Sequence, residues 1–215
     1  MTEKTAAVIV AHPDDETLWA GGFILMHPEF SWTIAALCRR SDPDRRPRFI
    51  RACRELGAMG YIGDMDDGPD QEPLSDQAIR NAVYSLLPAV RYDLVVTHNP
   101  FGEYYRHIRH EETGLAVLKL WEDDRIRTSH MWLFAYQDHE RKRNPLPAEN
   151  ATMKLTLPET VMEQKRHIIG EIYGFEPDSW EYGVMPGTEA FWCFENPDGI
   201  QDWMMRRSFS DIAIS

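Results

Sequence analysis

Five consecutive residues, His12-Pro13-Asp14-Asp15-Glu16, include one imidazole and three carboxylic acids. Such a set suits a cation. Imidazole nitrogen with carboxylate oxygen is common zinc ligation, and a catalytic zinc takes three protein ligands and keeps one position open for water. The same acids disfavour a nicotinamide cofactor at this turn, because a pyrophosphate needs close glycine-rich backbone and carboxylates repel phosphate. A second cluster, Tyr104-Tyr105-Arg106-His107-Ile108-Arg109-His110-Glu111, holds two histidines three residues apart. On a helix both rings share a face, so one can bind metal while the other stands beside a substrate.

The elements that must position these residues are readable around them. Ala6 to Ala11 is a bare apolar run, the mark of a strand buried on both faces of a parallel sheet. Acids crowd the start of the helix that follows, as a helix dipole favours, and Leu18, Trp19, Phe23 and Ile24 recur at helical spacing. Further strands are expected at Trp32–Leu37, Tyr61–Ile62, Leu94–Thr97 and Met131–Tyr136, with Thr152–Leu157 nearer the sheet edge. Helices are expected at Phe49–Met59 ending on Gly60, Asp76–Val90, Thr113–Trp121 and Glu159–Tyr173. Beyond about residue 176 the pattern is rich in Gly, Pro and Trp and gives no clear reading.

Strand alternating with helix implies an α/β fold, a doubly wound, mostly parallel sheet forming one domain over residues 1–215. Ligands in such sheets bind beyond the carboxyl ends of the strands, and both histidine clusters fall there. Taken singly, each cluster also fits a surface histidine pair or a set of dipole partners. Their shared placement favours the metal.

Composition narrows the partners. The 215 residues are 43% apolar and 27% charged with a net charge of −12, so the chain is globular and a poor match for phosphate backbones or anionic lipid. No nucleic acid is expected. The three cysteines Cys38, Cys53 and Cys193 form no CxxC pair and suggest no disulfide framework. No run approaches the roughly 20 apolar residues of a membrane span, so the expected location is the cytoplasm. A homo-oligomer is left open.

Ala11-His12-Pro13-Asp14-Asp15-Glu16 resembles the signature of the PIG-L/LmbE family of zinc-dependent N-deacetylases. Gly102 to His110 resembles its second motif, a Gly-led stretch ending in His-x-x-His. Weaker echoes are Met59-Gly60, Asp67-Gly68, the stretch from Lys165 to Tyr173, and Glu189-Ala190-Phe191. The resemblance implies a Rossmann-like domain that removes an N-acetyl group from an N-acetylglucosamine-type sugar or conjugate, with one Zn2+ per chain. By position, His12, Asp15 and His110 would hold the zinc, Asp14 would be the general base, and His107 would face the developing oxyanion and the leaving amine. An imidazolium suits that last role. A zinc amidohydrolase of non-sugar N-acyl substrates is the alternative, and a non-catalytic α/β binding module a third reading.

The second motif commonly has an acid just before its last histidine, where this chain has Arg109. The acid that orients His107 would then be Glu103, Glu111 or Glu112, and Arg109 would be exposed at the helix start or would meet an acidic substrate group. Glu16 either orients His12 or sits in the first helical turn. Tyr105 and His98 are candidate pocket residues, and Arg39, Arg40, Arg45, Arg46 and Arg48 follow the second strand at the rim. His27, His130, His139 and His167 read as surface or core histidines, Arg141-Lys142-Arg143 as solvated charge, and most aromatics as core.

Overall fold

In the first strand, β1 (Lys4–Val10), the stretch from Ala6 to Val10 alternates between two cores, which is why that stretch is apolar without a break. Ala6, Val8 and Val10 pack on one face of the sheet with Trp19, Phe23, Ile34 and Phe134. Ala7 and Ile9 pack on the other with Val83, Val117, Leu118 and Leu133. A strand side chain points to alternate faces, so a strand covered on both sides has no polar position to spare. In this computed structural model the described residues are 4–137 and 144–212, with side chains to 207. His139 and Arg141 to Arg143 lie outside them.

The chain proceeds through α1 (Asp15–Met26), β2 (Phe30–Cys38), α2 (Arg45–Glu55), β3 (Ala58–Met65), α3 (Asp76–Leu86), β4 (Arg91–Thr97), α4 (Ile108–Glu122) and β5 (Arg127–Phe134). It continues with β6 (Met153–Thr156), α5 (Glu159–His167), a π-helical turn at Ile168–Ile172, α6 (Trp180–Gly183), β7 (Thr188–Phe194) and α7 (Pro197–Ile212). Together they form a single α/β domain around one seven-stranded sheet of order β3-β2-β1-β4-β5-β7-β6. The first five strands run parallel, and β7 is antiparallel to both β5 and β6. Strand order reverses between β1 and β4, which opens the crevice at their carboxyl ends where ligands bind in such sheets. Among the described residues no helix is long and apolar enough to cross a membrane.

Two expectations needed correction here. The helix expected over Phe49–Met59 ends earlier, at Glu55, and its stop is Gly57 at φ +70° rather than Gly60. Gly60 lies within β3, so close to α2 that an added Cβ would meet Cys53 Sγ at 2.7 Å. Met59, read as helical, is an edge-strand residue and 65% exposed. The unreadable stretch beyond residue 176 contains β7, an interior strand whose Phe191 and Ala190 are fully buried. The edge position expected for Thr152–Leu157 holds, since β6 ends the sheet.

Candidate active site

The turn after β1 makes adjacent carboxylates face different ways. Asp14 caps α1 at φ 116° and ψ −32°, a conformation rare outside glycine, and its carbonyl accepts from Thr17 N and Leu18 N at 2.9 Å each. Its carboxylate lines an open cleft of about 420 Å³. Asp15 turns inward, where its Oδ2 accepts from His12 N at 2.9 Å and its Oδ1 from Trp19 Nε1 at 3.2 Å.

The loop after β4 supplies the other half. His107 is the N-cap of α4, its Nδ1 accepting from Arg109 N at 3.3 Å, and His110 follows one turn later. Glu103 is fully buried beneath them. Its Oε1 accepts from His98 Nδ1 at 2.6 Å and Asn99 N at 3.0 Å, and its Oε2 from His110 Nδ1 at 3.1 Å. Ala11 N lies 2.9 Å from His98 Nε2, a contact that ties the two loops together.

These partners leave three acceptor atoms facing one another. His12 Nε2 donates to Asp67 Oδ1 at 3.2 Å and His110 Nδ1 to Glu103, which frees the lone pairs of His12 Nδ1 and His110 Nε2. These two nitrogens are 3.2 Å apart, and each lies near Asp15 Oδ2, at 3.3 and 3.4 Å respectively. Zinc bonds of about 2.0–2.1 Å in a tetrahedron put neighbouring ligand atoms about 3.3 Å apart. Converging lone pairs at that spacing, each imidazole oriented by a carboxylate behind it, fit a divalent cation. His107 also approaches, its nearest nitrogen within 4.8 Å of those of His12 and His110.

Electrostatics divides the two aspartates further. Burial, reinforced by adjacent Asp15, holds Asp14 well above the usual carboxylate range, with Arg45 Nη1 at 3.8 Å only partly offsetting it. Asp15 is buried too, but when the surrounding imidazoles are protonated the charge of His110 and the hydrogen bonds of His110, His12 and His98 outweigh that and hold it well below. Neighbouring carboxylates driven apart in this way mark different chemical roles.

His107 corrects an expectation. Burial, then the positive charge that His110 and His12 carry when protonated, pushes it down to about 3. With Nδ1 accepting a backbone N–H, the ring is neutral and its remaining proton sits on Nε2. Among the described residues no carboxylate orients it. Glu103 holds His98 and His110, Glu111 pairs with Arg106, and Glu112 accepts from Arg109 and Leu74 N.

Arg109 is neither exposed nor in the cleft. It is fully buried, donating to Asp66 O at 2.6 Å, Glu72 O at 2.8 Å and Glu112 at 2.6 Å, and so pins the loop after β3 to α4. His98 is likewise walled off, stacked behind His110 with ring centroids 4.0 Å apart. Glu16 does not touch His12; it accepts from Asp14 N. Tyr105 does line the cleft, as Leu18 does, and its ring meets that of Trp180 edge-on. At the rim Arg39 pairs with Asp67, Arg45 faces Asp14, Arg48 binds Asp44, and Arg40 and Arg46 line an adjoining groove. His27 pairs with Glu29 and His130 with Asp93 O, both away from the cleft. The sequence reading named neither Asp67 nor Trp180 as a site residue. Asp67-Gly68 was visible only as a loop pair, and no local signal marks Trp180.

Residues 7–121 match the family model described as PIG-L, GlcNAc-PI de-N-acetylase. The chain belongs to this family. The matched segment of the family runs from β1 through α4 and contains every residue of the donor cluster. An uncharacterized protein of Acanthamoeba polyphaga mimivirus is 25% identical over 148 residues, 61% of this chain and 62% of that protein, so the chain spans under two thirds of its length. Among solved structures, the N,N'-diacetylchitobiose deacetylase of Pyrococcus horikoshii is similar with a TM-score of 0.64 and 17% identity, over 89% of this chain and 84% of that one. The 4-carboxy-2-hydroxymuconate hydratase of Pseudomonas putida has a TM-score of 0.55 and 17% identity, over 88% of this chain and 95% of its own. At such identities the likeness carries the fold, and that fold hosts more than one reaction.

Proposed function

We propose that this PIG-L family member is a zinc-dependent deacetylase that releases acetate from an N-acetylated amino sugar or its conjugate. His12, Asp15 and His110 would hold one Zn2+, which when bound polarises the amide carbonyl and makes water more acidic. The observation that carries the reading is the separation of Asp14 from Asp15. One carboxylate joins a three-atom donor cluster, while its neighbour is held at high pKa in the open cleft.

In this reading Asp14 takes a proton from the attacking water as its oxygen bonds to the acetyl carbon. His107 Nε2–H donates a hydrogen bond to the oxygen on which negative charge develops, a task a neutral imidazole performs. As the carbon–nitrogen bond breaks, Asp14 returns its proton to the departing amine. The second water proton leaves on the acetic acid and passes to the amine, so acetate and the ammonium form result, and the Asp14 carboxylate is restored. A single carboxylate thus serves as base and then acid, which replaces the imidazolium expected from sequence. Tyr105, Leu18 and Trp180 would flank the sugar, where aromatic faces suit carbohydrate CH surfaces.

Metal content and acetate release from a panel of N-acetyl sugars and N-acyl amino acids test the reading together. Stoichiometric zinc with turnover of N-acetyl sugars is expected. Asp14→Asn should keep its zinc and lose roughly 10²–10⁴-fold in kcat, the usual contribution of a general base. His107→Ala should keep zinc and lose roughly 10²–10³-fold, the contribution of one oxyanion donor. Full activity in Asp14→Asn would remove the mechanism, and zinc loss in that variant would mean ligand and base are exchanged.

A further inference from the structure

Glu16 is fully buried, accepts three hydrogen bonds, and has no cation paired with it among the described residues. It has no place in the chemistry above. Its Oε2 accepts from Asp14 N at 3.0 Å, and its Oε1 accepts from Thr17 Oγ1 and Tyr173 OH at 2.7 Å each. Asp14 is the residue held at φ 116°, and this N–H is its bond on the amino side of that dihedral. A non-glycine residue persists in such a conformation only when its surroundings impose it.

The Tyr173 hydroxyl comes from 157 positions along the chain. It arrives through the π-helical turn, where Tyr173 N bonds Ile168 O, five residues back, at 2.9 Å. The extra residue in that turn shifts Tyr173 relative to α5, and Arg48 Nη1 pins the turn by donating to Ile172 O at 3.2 Å. π-helical turns are rare and recur at functional sites.

We infer that Glu16, locked by Tyr173, is a positioning residue that holds the Asp14 backbone in its left-handed conformation, so that the Asp14 carboxylate faces the cleft while Asp15 faces the metal cluster. This rests on Asp14 being the base. It also makes the geometry of the base depend on Tyr173, which lies outside the matched family segment of residues 7–121. A displacement of about 1 Å at a reacting group costs roughly 10²-fold in rate, so a hydrogen bond behind the base acts on kcat.

Glu16→Gln replaces the acceptor with an amide that cannot accept from both sides, and Tyr173→Phe removes one donor while keeping the ring. Glu16→Gln should lower kcat roughly 10²-fold and Tyr173→Phe roughly tenfold, the latter the loss of one hydrogen bond. KM and zinc content should stay at wild-type values in both. In an Asp14→Asn background, Tyr173→Phe should cost no more than about twofold, because a residue acting through Asp14 has nothing left to act on. An equal loss in both backgrounds, unchanged kcat in Tyr173→Phe, or zinc loss in step with activity would each overturn the inference. The base reading fails separately, by Asp14→Asn retaining activity.

Discussion

The two histidines of the donor cluster are oriented by carboxylates in contrasting surroundings. Glu103 and His110 have side chains 1% and 3% exposed, and Glu103 also carries His98 and Asn99 N. Asp67 and His12 are 7% and 17% exposed at the edge of the cleft, and Asp67 leans on the half-exposed Arg39. The first arm is part of the core and the second part of the cleft wall. In a buried site a hydrogen bond is stronger and a missing partner costs more, whereas at the rim water substitutes. The cluster is therefore anchored rigidly at His110 and adjustably at His12.

The most damaging way to break this contrast is Glu103→Ala. It leaves buried donors on His98, His110 and Asn99 without partners, so the fold should lose about 3–5 kcal/mol, as breaking a buried pair does. Thermal melting and metal content should both drop. Asp67→Asn should leave melting nearly unchanged and weaken metal binding by roughly 10–100-fold, the usual effect of removing an orienting partner. Metal titration distinguishes the two, and equal melting losses in both variants would erase the distinction drawn here.

Acid sharpens the same comparison. Burial alone would raise Glu103, but the two histidines bonded to it outweigh that and hold it at about 2, below its ordinary 4.5. A carboxyl with a depressed folded pKa stabilises the fold above its unfolded pKa, and that contribution is lost as pH falls through the folded value. The Glu103 contribution should thus be complete above pH 4.5 and disappear on the way to about 2. Acid-unfolding curves of metal-free protein should flatten in that window in Glu103→Gln. The smallest effect is expected from Arg39→Ala, whose exposed pair with Asp67 should be worth less than about 1 kcal/mol by melting.

Residues adjacent along the chain made much of the site legible. His12, Asp14 and Asp15 form one turn, and His107 and His110 share one helix start, so their types and spacing mark a candidate site without a structure. The bare apolar runs of β1 and β4 were equally open, because a strand covered on both faces must be apolar throughout. Local pattern failed where two glycines competed to end α2, since only packing against Cys53 tells Gly60 from Gly57. It failed again at β7, whose antiparallel partners lie far away in sequence.

Sequence alone thus determined which residue types gather at the donor cluster and which strand ends carry them. Tertiary structure decided what stands behind each one. Glu103 orients His110 rather than His107, Asp67 reaches His12 from the loop after β3, Arg109 turns inward, and Tyr173 reaches Glu16 across 157 positions. A side chain's hydrogen-bond partner is set by which elements the sheet brings together and by the cost of leaving a buried polar atom unpaired. Neither is written in the spacing of neighbouring residues.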